Sequence, residues 1–118
     1  MSLGLARIAA LAGFGIALQA GAQGAPAEVA PSAARQRELV HVVRQDCGSC
    51  HGMKLTGGLG PALTPENLAD RPFESIVATI FHGRPGTPMP AWQTMLTEAD
   101  ARWIAQHLLQ GFPPEDAR

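Results

Sequence analysis

Apolar residues recur with the period of an α-helix in three stretches of the chain, and each stretch predicts a helix with one buried face. The first stretch follows Ser32, a candidate N-cap residue, and runs directly into Cys47. Its apolar positions are Leu39, Val40, Val42 and Val43. The second stretch covers about residues 71–82, and Gly83 follows it as a stop signal. Its apolar positions are Phe73, Ile76, Val77 and Ile80.

The third stretch begins at "TEAD", residues 97–100, which resembles a capping box. Its apolar face comprises Ala101, Ile104, Ala105 and Leu108, and it ends before Gly111, Pro113 and Pro114. A short helical turn is also predicted where Thr64, as a cap, precedes Pro65 at the first helical position. No stretch alternates between apolar and polar residues as a strand would, so the predicted fold class is all-α.

Two loops rich in glycine and proline separate these helices. Residues 52–63 read "GMKLTGGLGPAL", and residues 83–92 read "GRPGTPMPAW". Glycine permits tight turns and close approaches of the backbone, and proline is disfavoured inside helices and in central strands. Both segments are therefore predicted to be irregular loops of defined path.

The N-terminus has the features of a secretory signal peptide. Arg7 precedes an uncharged run over residues 8–18, and Ala20 and Ala22 occupy the small-residue positions of a cleavage site. The run is about half of the roughly 20 residues that span a bilayer, so a lasting membrane anchor is disfavoured. We expect a signal peptide at 1–22, a flexible leader at 23–31, a folded domain at 32–114 and a C-terminal tail at 115–118.

Composition changes this picture in two ways. The chain has 118 residues with 9 basic and 10 acidic side chains, which argues against nucleic acid as a partner. It also has no tyrosine, four phenylalanines and two tryptophans, a small supply of large core side chains for a single domain. Small domains are often completed by a disulfide, a metal or a cofactor, so we expect such a group here.

The two cysteines of the chain lie in the sequence "CGSCH", residues 47–51. Cys47 and Cys50 are three residues apart, so on a helical turn their sulfur atoms project from the same side and reach different edges of one flat ligand. His51 follows directly and can place its imidazole beneath the centre of that ligand. C-x-x-C-H is the spacing of covalent haem attachment, with thioether bonds from both sulfur atoms and iron ligation by the imidazole.

Three other interpretations of these residues remain open. A redox dithiol of the thioredoxin type needs a βαβ setting, which the sequence does not show. A disulfide between Cys47 and Cys50 would close a very small loop and would leave His51 unexplained. A zinc site would need four ligands, and adjacent Cys50 and His51 are poorly placed for one tetrahedral centre.

Met89 is the candidate for a second iron ligand. It lies between Pro88 and Pro90, and a stiff loop lowers the cost of presenting a flexible thioether to a metal. Met53 is too close to His51 in sequence to reach the opposite side, and Met95 is expected to be an ordinary core residue. The other histidines lie on predicted helices, where solvated or hydrogen-bonded side chains are expected: His41, His82 and His107.

A histidine that binds iron needs an acceptor for its other ring nitrogen, so that one tautomer is held. The nearest source is a backbone carbonyl in "GGLGPAL", where Pro61 would fix the path of the segment. Trp92 follows the methionine loop, and its indole N–H is a candidate donor to a haem propionate. A Trp92→Phe variant with unchanged potential and stability would rule that hypothesis out.

Together these residues resemble the class I cytochrome c family over residues 32–112. The shared features are "CGSCH" after an N-terminal helix, "GP" in the next loop, "PMP" further on and a C-terminal helix. The resemblance implies a small all-α fold around one covalent haem c, in which the first and last helices pack together. It also implies attachment at Cys47 and Cys50, axial ligation by His51 and Met89, and an acceptor at the Pro61 carbonyl.

The wording of the loops is similar to the cytochrome c-55X subfamily of denitrifying bacteria. That resemblance implies a periplasmic, monomeric electron carrier, not an enzyme, whose partner is cytochrome cd1 nitrite reductase. It leaves open a part in the maturation of haem d1. A third possibility is a haem protein that binds a small ligand when Met89 is displaced. Ligation by histidine and methionine raises the reduction potential and leaves no vacancy for a substrate, which favours the carrier.

Overall fold

The computed structural model describes residues 29–116 of the chain, and in this part it contains helices and no strand, as predicted. The chain order is α1 (Ala33–Val42), a π-helical turn (Val43–Cys47), α2 (Gly48–His51), α3 (Pro65–Leu68), α4 (Phe73–His82), a 3₁₀ turn (Trp92–Thr94) and α5 (Glu98–Gln110). The predicted signal peptide lies outside the described residues. No helix among those described is long and apolar enough to cross a membrane.

The first three helical segments form one continuous stretch that carries the C-x-x-C-H motif. The hydroxyl of Ser32 accepts a hydrogen bond from the backbone N–H of Arg35 at 3.2 Å, so the predicted N-cap is present. The π-helical turn Val43–Cys47 inserts an extra residue into the register just before the motif. Gly52, with φ of 88°, ends the stretch and turns the chain into the first loop.

The remaining helices follow the predicted order, with two differences at their starts. α4 begins at Phe73 and not near residue 71, because the residue before Pro72 is disfavoured in the helical region. Thr64 occupies the N-cap position of α3, but its side chain makes no capping hydrogen bond, so the predicted cap is absent. The capping box of α5 is confirmed: the Thr97 hydroxyl accepts from the Asp100 N–H at 3.1 Å, and the Asp100 carboxylate accepts from the Thr97 N–H at 2.9 Å.

One hydrophobic cluster joins the apolar faces of α1, α4 and α5. Leu39 and Val43 have no exposed surface, and Ile104 is buried beside them. The other buried members are Leu55, Leu68, Ile76, Val77, Ile80, Leu96, Ala101, Trp103, Ala105 and Leu108. α4 packs along α5, and Leu39 of α1 belongs to the same buried cluster as the apolar face of α5.

Polar contacts fix the start of α1 and the π-helical turn that follows it. The Arg35 guanidinium donates to the Asp100 carboxylate at 2.9 Å and to the Met95 carbonyl at 3.1 Å, so the start of α1 is held at the start of α5. In the π-helical turn, Arg44 donates to the carbonyls of Phe112 and Pro113 at 2.8 and 2.7 Å. The segment after α5 is thereby tied to the helix that carries the cysteines.

Candidate functional site

The C-x-x-C-H residues lie at the end of the first helical stretch with both thiols free. Cys47 is half-buried and Cys50 is exposed. Burial of the Cys47 thiol, reinforced by the negative charge of Asp46, raises its pKa to about 11. Cys47 is thus not a thiolate activated by its surroundings, which is the state that a dithiol oxidoreductase requires.

The structure also bears on the three alternatives that the sequence leaves open. The described helices provide no βαβ unit for a redox dithiol. Cys47 and Cys50 are not joined by a disulfide. Within residues 29–116, no three side chains of the types His, Cys, Asp and Glu converge on a common metal position.

His51 is held in one orientation by the first loop. Its side chain is buried, and Nδ1–H donates to the Pro61 carbonyl oxygen at 2.7 Å. This contact fixes the tautomer and leaves Nε2 as the nitrogen with a lone pair for a metal. A Cβ atom on Gly60 would lie 2.7 Å from Cε1 and 2.8 Å from Nδ1 of the ring, so only glycine permits this approach.

Backbone hydrogen bonds fold the first loop against the end of α2. The carbonyl of Cys50 accepts from the Gly60 N–H at 2.8 Å, and the carbonyl of His51 accepts from the Gly57 N–H at 2.8 Å. These bonds satisfy helix-terminal carbonyls that otherwise lack a partner. Leu55, which adopts φ of 60°, is buried in the core and anchors the middle of the loop. The loop therefore places Pro61 relative to His51.

The second loop presents Met89 from the end of α4. A Cβ atom on Gly83 would lie 2.8 Å from the Met89 carbonyl oxygen and 2.6 Å from the Pro90 carbonyl carbon, so the two backbones are in close contact. The Met89 carbonyl also accepts from the Arg84 N–H at 3.2 Å. The Met89 residue is half-buried. Its backbone is thus fixed at the base of the loop, whereas Gly86 at the tip has no neighbour near its Cβ position.

The two other methionines near the site are exposed, and Trp92 is half-buried. The prediction that Met95 is a core residue is wrong: it is 58% exposed, and the adjacent Leu96 takes the buried position at 4%. Met53 is also exposed. Trp92 is half-buried against the core, and its indole N–H makes no hydrogen bond within the described part of the chain.

The remaining histidines are solvated or hydrogen-bonded, as expected for helix positions. His41 Nδ1 lies 2.7 Å from the Glu115 carboxylate, and His82 is exposed at the end of α4. His107 Nδ1–H donates to the Trp103 carbonyl at 2.8 Å, and its ring stacks on the indole.

These residues fit a covalently attached haem. The free thiols of Cys47 and Cys50 and the oriented imidazole of His51 lie together at the end of one helical stretch. The Pro61 carbonyl binds Nδ1 of His51, so Nε2 remains available to bind iron. The all-α fold and this motif together define a c-type cytochrome.

Comparisons with known proteins agree with this class. The family described as "Cytochrome C oxidase, cbb3-type, subunit III" matches residues 34–108. The chain is 56% identical over 84 residues to cytochrome c55X of Stutzerimonas stutzeri, covering 71% of this chain and 74% of that protein. It is 59% identical over 81 residues to cytochrome c55X of Pseudomonas aeruginosa, covering 69% and 68%. The chain belongs to the cytochrome c55X family, within the c-type cytochromes, and its cofactor is haem c with iron.

Solved structures extend the comparison. The c-type cytochrome NirC superposes with a TM-score of 0.70 at 56% identity, over 71% of this chain and 100% of that chain. Dihydro-heme d1 dehydrogenase NirN in complex with DHE superposes with a TM-score of 0.57 at 36% identity, over 66% of this chain and 17% of that chain. The resemblance to NirN is thus limited to a small part of a much longer protein.

Sequence reasoning missed two residues that shape the site. Gly60 and Gly83 make the close approaches to His51 and to the Met89 loop, and neither is distinguishable in the sequence from an ordinary turn glycine. Gly60 directly precedes Pro61, which is the one local signal that could have singled it out.

Proposed function

We propose that this chain is a periplasmic carrier of single electrons, in which Cys47 and Cys50 would attach the haem and His51 and Met89 would supply the protein ligands of its iron. The observation that carries this proposal is the fixed His51 ring, with Nδ1 committed to the Pro61 carbonyl at 2.7 Å and Nε2 left to bind iron. Haem iron with histidine and methionine ligands exchanges one electron at a raised potential. The protein's part is to hold both ligands in place in either oxidation state.

Trp92 is the proposed donor to a haem propionate. Its indole N–H lacks a partner in the described structure, and its position follows the Met89 loop directly. Trp92→Phe is expected to lower the reduction potential, because a propionate without this donor keeps more negative charge near the iron. The loss of a hydrogen bond to a charged group also destabilises the protein by about 1.5–3 kcal/mol. Equal potentials and equal stabilities of variant and wild type would contradict this role.

The proposed electron acceptor is cytochrome cd1 nitrite reductase. The support is the similarity to cytochromes c55X of three bacteria, one of which is Paracoccus denitrificans, at 59% identity over 80 residues. In a stopped-flow experiment, reduced protein is mixed with the oxidised reductase, and oxidation is followed in the visible spectrum. We expect bimolecular oxidation that saturates with reductase concentration. Oxidation no faster than with an unrelated haem protein as acceptor would contradict this partner.

A second candidate function is a part in the maturation of haem d1. It is favoured by the 39% identity over 72 residues to dihydro-heme d1 dehydrogenase of Pseudomonas aeruginosa, of which the chain covers only 15%. Deletion of the gene separates the two functions. Nitrite reductase lacking haem d1 would indicate maturation, and an intact reductase that receives electrons slowly would indicate delivery.

Export and oligomeric state complete the proposal. We propose that residues 1–22 are removed on export to the periplasm and that the folded protein is a monomer without a membrane anchor. The mass of the protein purified from the periplasm gives the cleavage site, and light scattering gives the oligomeric state. A mass that includes residues 1–22 would contradict removal of the signal peptide. A mass of two chains in solution would contradict the monomeric state.

A further inference from the structure

The hydroxyl of Thr87 bridges two residues of the second loop, Arg84 and Met89. It donates to the Arg84 carbonyl at 2.7 Å and accepts from the Met89 N–H at 3.3 Å. The Thr87 N–H also donates to the Arg84 carbonyl, at 3.0 Å. One side chain thus connects Arg84, near the start of the loop, to Met89 on the other side of the loop tip.

The two prolines beside Met89 make this bridge more important. Pro88 and Pro90 have no N–H, so within this part of the loop few backbone donors are available to fix its path. The loop base is held by the approach of Gly83 to the Met89 backbone, but Gly86 at the tip has no neighbouring atom near its Cβ position. The Thr87 hydroxyl is the side-chain group that restrains the tip relative to Met89.

We propose that Thr87 is a positioning residue that keeps Met89 on the iron and resists its replacement by external ligands. This inference rests on the proposed function, in which Met89 is an axial ligand. Opening of the loop tip moves the Met89 backbone and withdraws its thioether. The bridge disfavours that opening, because both hydrogen bonds of the hydroxyl must break first. Thr87 thereby favours electron transfer over small-ligand binding at the same iron.

The test is an imidazole titration of the oxidised protein with haem attached. Imidazole competes with a thioether for ferric iron, and the loss of the weak red absorption band of iron–methionine bonding reports the exchange. Thr87→Val keeps the β-branched shape and removes both hydrogen bonds. We expect it to bind imidazole about tenfold more tightly than wild type, because the loss of one or two hydrogen bonds changes an equilibrium by about that factor. Thr87→Ser retains the hydroxyl and is expected to remain near wild type.

Thr79→Val is the matched control. The Thr79 hydroxyl also donates to a backbone carbonyl at 2.7 Å, that of Ser75, but the bond lies within α4 and involves no residue of the second loop. The same substitution at Thr79 is expected to leave imidazole affinity unchanged. If Thr87→Val and Thr79→Val bind imidazole equally, or if Thr87→Ser behaves like Thr87→Val, the inference is wrong.

Met89→Ala separates failure of this inference from failure of the proposed ligand. If the red band is absent from wild type, or survives in Met89→Ala, then Met89 is not the ligand and both statements are overturned. If the band depends on Met89 and Thr87→Val matches its control, the ligand assignment stands and only the role of Thr87 is overturned.

Discussion

At the scale of single residues, the site depends on contacts that only glycine or a backbone carbonyl can supply. His51 is fixed by the Pro61 carbonyl on one ring nitrogen and by Gly60 across the ring. Neither contact uses a side chain of distinctive chemistry. The sequence identifies His51 because two cysteines at fixed spacing precede it. It indicates Pro61 because the second ring nitrogen of an iron-binding histidine needs a hydrogen-bond acceptor. It does not reveal Gly60, because close approach is a property of the folded loop.

Gly60→Ala tests this residue-scale account. The added Cβ would lie 2.7 Å from Cε1 of His51, so the ring or the loop must shift. We expect the variant with haem attached to lose about 1–3 kcal/mol of stability, the usual cost of overpacking. The shift of the ring is also expected to change the reduction potential.

Gly48→Ala is the matched control, because its Cβ would have no neighbour closer than 3.4 Å, although Gly48 lies within the C-x-x-C-H motif itself. It is expected to be neutral or slightly stabilising, since alanine is preferred to glycine in a helix. Chemical denaturation and redox titration of both variants provide the measurements. Similar losses of stability in the two variants would show that the approach of Gly60 to His51 is not the cause of the loss in Gly60→Ala.

At the scale of secondary-structure elements, α5 is the segment whose local signals were most complete. The "TEAD" box forms both reciprocal bonds, and the apolar face of the helix is buried. By contrast, the π-helical turn Val43–Cys47 has no local signature in the sequence. Met95 was misplaced because tertiary packing decides which of two adjacent apolar residues turns inward, and Leu96 takes that position.

The start of α5 also gives a pH-dependent contribution to stability. Burial of Asp100 acts to raise its pKa, but hydrogen bonds from Arg35 and from the Thr97 N–H outweigh burial and hold that pKa below its usual range. A carboxylate with a lowered pKa stabilises the folded state above its ordinary pKa of about 4, and the contribution is lost as the pH falls through the folded-state value.

Asp100→Asn is therefore expected to be less stable than wild type near neutral pH, by about 1.5–3 kcal/mol. The difference in unfolding free energy should shrink below about pH 4, where wild type also becomes protonated. Urea unfolding at a series of pH values measures it. Asp70→Asn serves as the control because Asp70 is exposed and, among residues 29–116, its side chain makes no hydrogen bond or ion pair. A difference between Asp100→Asn and wild type that is constant with pH would contradict the assigned cause.

At the scale of the whole molecule, the helices form a frame in which α2 carries His51 and the second loop carries Met89. α4 and α5 pack together, and Arg44 and Arg35 connect the first helical stretch to the segment after α5 and to the start of α5. The small supply of aromatic residues predicted that a disulfide, a metal or a cofactor completes this fold, and membership of a haem c family identifies that group as a cofactor. The all-α class and the family were predictable, since helix periodicity and C-x-x-C-H are local. The mutual placement of the two loops was not, because it depends on contacts between distant residues.

The most direct test of the central claim is the visible spectrum of the protein purified from a periplasm competent in c-type haem attachment, for wild type and Met89→Ala. We expect haem that remains on the chain after denaturation, a sharp low-spin spectrum on reduction, and a red iron–methionine band in the oxidised wild type that Met89→Ala lacks. Haem that dissociates on denaturation would contradict attachment at Cys47 and Cys50. An unchanged band in Met89→Ala would contradict the axial role of Met89.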